Sequence, residues 1–248
     1  FDAAFGPSLN PLRQLGALGF LSFWLLAVSG VYLYAVLDTS ASGAYRSIVD
    51  MSQTQPWLGG LLRSLHRYAA DAFVVLMALD LLREWLHGHY RGVRRYSWLT
   101  GVPPVVLVFA SAIGGFWLHW DQLGQYSAIA TAEWLDALPL LATPLARNFL
   151  SARTVSDRLF SLLVFLHIAM PLFLLVGMLI RIKRIKLART MPPRGLVAWT
   201  IAVMLLVSLV RPAVSMPPAN LAMTPGEVSI DWIYMNLYPL LDSYGPGT

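Results

Sequence analysis

Two histidines stand inside long apolar runs: His66 in SLHRYAAD, residues 64–71, and His167 in FLHIAMP, residues 165–171. A lone imidazole is costly at membrane depth, and polar side chains placed there usually have a function. Two neutral imidazoles facing each other across a helix bundle can hold a haem iron from both sides. The alternative is a pair of unrelated histidines, each satisfied by a hydrogen bond. The chain has no cysteine. That excludes disulfides, thiolate metal sites, cysteine-bound iron–sulfur clusters and a haem attached through C-x-x-C-H.

Glycines add to the pattern. Gly16 and Gly30 lie fourteen residues apart in one apolar run, and Gly101 and Gly115 lie fourteen apart around another. Fourteen residues are nearly four helical turns, about 21 Å along the axis, so each pair falls on one face. A flat macrocycle can pack edge-on against a helix where side chains are missing. Close packing of helices through small residues would use the same glycines.

Positioning these residues requires membrane-spanning helices. Of the 248 residues, 57% are hydrophobic and 12% charged, against about 25% charged in a soluble domain. This is the composition of a polytopic membrane protein. Five runs are long enough to cross: A (15–37), B (61–86, with His66), C (98–118), D (159–182, with His167) and E (195–210). Val102-Pro103-Pro104 predicts an irregular first turn for run C. Run E is short and predicts little tilt. The B–C loop carries Arg91, Arg94 and Arg95, and the D–E loop carries Arg181, Lys183, Arg184, Lys186, Arg189 and Arg194. If the runs alternate in direction, both loops fall on one side, which the positive-inside rule makes cytoplasmic. The N-terminus is then cytoplasmic. The A–B loop, the long C–D loop (119–157) and the tail after Pro212 are periplasmic, in the inner membrane of a bacterium. The net charge of +5 is read as this topology and not as nucleic-acid binding. A C–D connection this long is expected to carry function. The exposed aromatic and apolar residues expected there and in the other outer segments (Trp57, Trp134, Leu135, Leu138, Tyr234, Tyr238) suggest a docking surface. His87 and His89 are expected to be solvated headgroup contacts. The chain opens on Phe1, so its start is expected to differ from the gene's, and no signal-peptide pattern is read there.

Across nearly its whole length the chain resembles the cytochrome b/b6 family of quinol–cytochrome c oxidoreductases. VSGVYLYAVLDTSASGAYRSI resembles the family's first helix and the segment that follows it, with Ala44 and Ser47 in place. GGLLRSLHRYAADAF is similar to G-W-L-x-R-x-x-H-A-N-G-A, with Arg63 and His66 in place. Trp98 and Gly101 fit W-x-x-G. SAIGGFWLHWDQLGQYSA is similar to T-A-F-x-G-Y-x-L-P-W-G-Q-M-S-x-W-G-A, LHIAMP to H-x-x-x-P, and PPANLAMTPGEVSIDWIY to P-A-N-P-L-x-T-P-x-x-I-x-P-E-W-Y. The resemblance implies an all-α membrane protein: a cytochrome b-like four-helix transmembrane bundle over 1–190, then a fifth transmembrane helix and an outer-face segment over 191–248. It implies bis-histidine ligation by His66 and His167, haem packing against Gly30 and Gly115, and a haem-propionate partner in Arg63, whose guanidinium suits a carboxylate.

The departures are as informative. The family carries a second histidine fourteen residues after each first one, and here those positions hold Asp80 and Arg181. The resemblance therefore implies one haem b, near the outer face, with Asp80 and Arg181 forming a salt bridge in place of the inner one. Snorkelling of Arg181 to the headgroups is the rival. P-W-G-Q has become His119-Trp120-Asp121-Gln122, and P-E-W-Y has become Ile230-Asp231-Trp232-Ile233. The family's arginine five residues before the helix D histidine is Leu162, and the chain given ends before the family's later helices. The outer quinone pocket is expected around His119, Tyr126, Asp231 and Trp232. Asp231 would exchange the quinol proton, or cap a helix. His119 would bond a quinone carbonyl, lie at an interface, or ligate a haem of its own. One haem cannot carry electrons across the bilayer, so no full Q cycle is expected. The expected protein is the quinone-reactive cytochrome b subunit, or membrane anchor, of a larger oxidoreductase. It would exchange electrons between the quinone pool and a periplasmic partner, a cytochrome c or an iron–sulfur protein. The rivals are a structural subunit with a vestigial haem site and a transporter using Asp80 and Arg181.

Overall fold

The computed structural model describes residues 2–137, 143–184, 189–223, 225, 227–229, 231 and 233–244. Its helices are α1 (Asp2–Leu9), α2 (Leu15–Val36), α3 (Ala44–Thr54), α4 (Leu61–Leu86), α5 (Arg95–Leu99), α6 (Val102–His119), α7 (Gln122–Asp136), α8 (Asp157–Arg184), α9 (Arg194–Val210) and α10 (Leu237–Tyr244). Among the described residues there is no strand, only an isolated antiparallel bridge between Asp121 and Pro218.

Runs A to E correspond to α2, α4, α6, α8 and α9. Among the described residues three helical stretches are long and apolar enough to cross a membrane, Leu15–Val36, Gly92–His119 and Asp157–Lys183, and Arg194–Val210 is a shorter apolar helix. Helix α4 differs because Arg63, Arg67, Asp71, Asp80, Arg83 and Glu84 dilute its apolar character. Its 26 residues still extend about 39 Å, more than the hydrocarbon core. Its charges are paired: Arg67 with Asp71, and Arg83 with Asp80 at 2.7 Å. Run C starts irregularly, as expected: α5 ends at Leu99 and a turn at Thr100 and Gly101 precedes α6. Helix α6 begins at Val102 with Pro103 and Pro104 in its first turn, where a missing N–H leaves no helical acceptor without a donor. The long C–D connection is itself partly helical, since it contains α7 and a 3-10 turn at Ala146–Phe149.

The chain divides into two compact units. The first is Phe1–Ala35, Met51–Phe109 and Met170–Ala213. Phe23 and Phe73 meet edge to face at 6.2 Å in its core. Gly19 leaves space for Met77 and Phe73, so α2 and α4 approach closely. Leu65 and Ala69 of α4 pack with Met204 of α9. Arg211 and Ala213, just after α9, are tied back to α4. The Tyr68 hydroxyl donates to the Arg211 carbonyl at 2.6 Å, and the Ala213 N–H donates to Ser64 Oγ at 2.9 Å.

The second unit is Val36–Asp50, Ala110–Ala169 and Val214–Thr248. Its core gathers Leu118, Trp120, Ala128, Ala132, Phe149, Phe160, Leu163 and Val164. Ser47 links Ala44 and Asp38: its hydroxyl donates to the Ala44 carbonyl and accepts the Asp38 N–H, each at 3.0 Å. The Ala41 N–H donates to Asp157 at the start of α8, at 2.9 Å.

Candidate functional site

In the first unit, His66 lies on α4, one turn beyond Arg63. Its ring rests against Gly30 of α2, where an added Cβ would stand 3.1 Å from His66 Cε1. A methyl there would press the ring back by a few tenths of an ångström. Ser29, next to Gly30, fixes the ring. Its hydroxyl donates to the Leu25 carbonyl at 2.6 Å and lies 3.0 Å from His66 Nδ1. Because the hydroxyl proton is engaged with the carbonyl, the serine oxygen accepts and Nδ1 donates. That tautomer makes Nε2 the ring's acceptor.

His167 repeats the arrangement in the second unit. Its ring rests against Gly115 of α6, with Cε1 3.1 Å from an added Cβ. Nδ1 donates to the Ser111 carbonyl at 2.9 Å, again leaving Nε2 as the acceptor. Pro171 lies four residues on and lacks the N–H that would reach the His167 carbonyl. The Ser111 hydroxyl approaches that carbonyl instead, at 3.4 Å. Here the H-x-x-x-P pattern has a physical reason: the proline frees a carbonyl that a serine of the neighbouring helix takes up. A ring nitrogen tied to a hydroxyl or carbonyl is how a metal-ligating histidine is oriented. Ser29 and Ser111 were not singled out in the sequence, although both lie in the quoted glycine-containing stretches.

These residues fit a haem. Each histidine has a glycine cradle and a fixed tautomer in which Nε2 is the acceptor nitrogen. Among the described residues no three His, Asp or Glu side chains form a metal-sized cluster. An imidazole oriented in this way is, taken by itself, a fit ligand for a haem iron.

The positions fourteen residues on are filled differently, both within the first unit. Arg181 Nη2 donates to Asp80 Oδ2 at 2.7 Å, and the two side chains are 8% and 9% exposed. Arg83 completes a triad, with Nη2 on Asp80 Oδ1 at 2.7 Å and Nη1 on the Leu12 carbonyl at 2.8 Å. The Arg181 guanidinium lies against Gly101, with Nη1 2.7 Å from an added Cβ. Arg181 therefore uses its glycine as His167 uses Gly115. A side chain this buried does not snorkel. Gly16 has nothing within 4 Å of an added Cβ.

Arg63 is buried and donates to Ser52 Oγ at 3.1 Å. In the loop after α4, His89 Nδ1 donates to Glu84 at 2.8 Å while His89 Nε2 accepts from Arg94 at 2.9 Å. Its expected role as a solvated headgroup contact is thus corrected to membership of an ion-pair network, because both ring nitrogens are engaged. His87 is exposed, as expected.

His119 ends α6. Tyr126 of α7 meets the Tyr238 ring edge to face at 5.8 Å. Asp231 Oδ1 accepts the Ile233 and Tyr234 N–H groups at 2.9 and 2.8 Å, so the carboxylate holds a turn. Trp232 and Leu138 lie outside the described residues. Tyr234 and Tyr238, expected as docking aromatics, are buried at 0% and 3% exposure. Tyr234 packs on Phe116, and Tyr238 bonds Thr131 at 2.6 Å. Burial pushes the Tyr238 phenol above its usual pKa, against the opposing pull of Thr131. Trp57, at 79% exposure, and Trp134 are exposed as expected, and Leu135 is half-buried.

Apolar helices of membrane-crossing length define the class: an all-α, multi-pass membrane protein. The chain belongs to the cytochrome b/b6/petB family, which matches residues 2–191. It is accordingly a membrane electron-transfer cytochrome b subunit, in a family that binds haem b and quinone. A solved structure described as a hyperthermophilic respiratory Complex III contains a similar chain. The TM-score is 0.75 and the identity 21%, over 98% of this chain and 73% of that one. At that identity the likeness speaks for the fold.

Proposed function

We propose that this chain is a single-haem cytochrome b, the quinone-reactive membrane subunit of a larger oxidoreductase. It exchanges electrons between the quinone pool and an outer-face redox partner, without a full Q cycle. The observation that carries the reading is the contrast between the two levels. His66 and His167 each lie in a glycine cradle with Nδ1 tied, whereas Asp80 and Arg181 close on each other as an ion pair with Arg181 against Gly101.

In this reading His66 and His167 would ligate the haem iron through Nε2, and Ser29 and Ser111 hold the rings at the tautomer that this requires. Gly30 and Gly115 give the clearance. Arg63 neutralises a propionate. A haem b held there supplies one-electron transfer at the outer level. Asp80 and Arg181 stand in place of a second ligand pair, and an ion pair has no lone-pair nitrogen to offer iron. His119, Tyr126 and Asp231 line the quinone pocket, with His119 and Asp231 exchanging the protons that accompany quinone chemistry. The capped turn at Asp231 fixes its carboxylate within that segment.

The partner is a cytochrome c or an iron–sulfur protein, and the similar chain in a respiratory complex favours a multi-subunit setting. Arg91, Arg94 and Arg95 on one loop and Arg181 to Arg194 around the other favour a cytoplasmic N-terminus and a periplasmic tail in a bacterial inner membrane. The haem-binding part is residues 1–190, and 191–248 supplies the fifth span and the outer segment.

A pyridine haemochrome measurement on the purified chain tests this. One b-type haem per chain is expected, lost on His66→Ala or His167→Ala. Two haems, or none, or a spectrum indifferent to both substitutions, refutes the proposal.

A further inference from the structure

Helix α6 ends at His119 and α7 begins at Gln122, and between them the chain makes an elbow at Trp120, whose φ is +46°. A bulky residue in that region is strained and persists only where its surroundings hold it. The Trp120 ring is held edge to face on Phe160 at 5.4 Å. Gly124 keeps the elbow tight, since an added Cβ there would stand 2.6 Å from the Phe116 carbonyl. The turn presents backbone groups to the tail. The Ala219 N–H donates to the Trp120 carbonyl at 3.0 Å, and the Gln122 N–H donates to the Pro217 carbonyl at 2.9 Å.

Two buried side chains extend this seam. Asp121 Oδ1 caps α7 through the Gly124 N–H at 2.8 Å, while Oδ2 accepts the Met216 N–H at 3.0 Å. Gln125 Oε1 accepts the Asn220 N–H at 2.8 Å, and its Nε2 donates to the Asn220 carbonyl at 2.9 Å and the Met223 carbonyl at 3.3 Å. Adhesion alone would need only apolar packing, which the tail already has further on, where Tyr234, Met235 and Tyr238 are buried. An amide that bonds both the N–H and the C=O of one residue does something different. It selects Asn220 and no neighbour, so it fixes register. The segment that follows is the one carrying Asp231.

We infer that Asp121 and Gln125 are positioning residues for quinone. By fixing the register of Met216–Met223 on the α6–α7 elbow, they set where the Asp231 turn stands relative to His119 and Tyr126. This rests on the quinone reading above. Asp121 occupies the place of the glycine in P-W-G-Q, so this part of the clamp is supplied by a departure from the motif.

The test uses the full haem-loaded chain in membranes, with a short-chain quinol analogue as donor and excess ferricyanide as the one-electron acceptor, two ferricyanide being reduced and two protons released per quinol oxidised. Asp121→Asn keeps one acceptor oxygen for the α7 cap and loses the acceptor for Met216. Gln125→Leu keeps the bulk and loses all three bonds. Each is expected to raise the KM for quinol about tenfold, with kcat within about twofold. Haem content and spectrum should be unchanged, and a glutamyl protease should cut faster after the exposed Glu227. Faster cleavage with unchanged KM overturns the inference, because the tail is then loosened without consequence for quinone. Loss of haem in both variants also overturns it, since the clamp would then serve the fold at large. So does quinol reactivity indifferent to both substitutions. Failure of the unaltered chain to react with quinol refutes the quinone reading itself, and this inference with it.

Discussion

Replacing Asp80 and replacing Arg181 should have unequal costs, and the inequality follows from the triad. Asp80 is held by two guanidinium groups, with Arg181 on one oxygen and Arg83 on the other, each at 2.7 Å. Among the described residues Asp80 is the carboxylate that Arg181 reaches. Removing one member of a buried pair leaves the other charge uncompensated, at about 3–5 kcal/mol. Asp80→Asn should cost that full amount, because a buried guanidinium cannot shed its proton. Arg181→Met leaves Asp80 bonded to Arg83, so about 1–2 kcal/mol is expected from the lost charge-assisted hydrogen bond. The double variant removes both buried charges and should be milder than Asp80→Asn alone. That gives a coupling of at least about 1 kcal/mol. Unfolding in mixed micelles of increasing denaturing-detergent fraction, followed by tryptophan fluorescence, measures all four proteins. Equal single costs, or costs that add, would refute the reasoning. They would mean that Arg181 meets water or headgroups rather than Asp80.

Gly30→Ala and Gly115→Ala each bring a methyl to 3.1 Å from a histidine Cε1. The rings must give by a few tenths of an ångström, so a shifted haem absorbance and about five- to thirtyfold weaker haem retention are expected, read by haem transfer to apomyoglobin. Gly43→Ala would overlap the Asp38 carboxylate. It should destabilise the chain by about 1–3 kcal/mol, seen as a lower midpoint in the same detergent titration with haem content unchanged.

What could be read from the chain beforehand depended on whether a residue's meaning was local. The helices were legible because membrane crossing is a matter of length and apolar content, and α4 matched run B at both ends despite its charges. His66 and His167 stood out because an imidazole is conspicuous in an apolar run. Ser29 and Ser111 did not, because serine is ordinary in a helix. Their role depends on helix rotation, which brings a hydroxyl or carbonyl within reach of one ring nitrogen. Tyr234 and Tyr238 looked like surface aromatics because they follow the last span in a polar, proline-rich tail. Their burial comes from Phe116, Tyr126 and Thr131, about a hundred positions earlier, and no local pattern encodes that. Asp121 was opaque for the same reason, since its second oxygen meets Met216.

Asp80 and Arg181 were readable as a pair because the same interval of fourteen separates each from its histidine. That coincidence also carries a physical constraint. Changing only one of two facing ligands to a charged residue leaves a buried charge with no counterion, and changing both to opposite charges leaves a pair. The share taken by Arg83 could not be read, since an i,i+3 neighbour reaches Asp80 only in a rotamer that the fold selects. Arg83 now gives the asymmetry its mechanism: Asp80 keeps a counterion when Arg181 is removed, whereas Arg181 loses its own when Asp80 is removed. Without Arg83, Arg181→Met would leave Asp80 with no counterion, and the gap between the two costs would narrow.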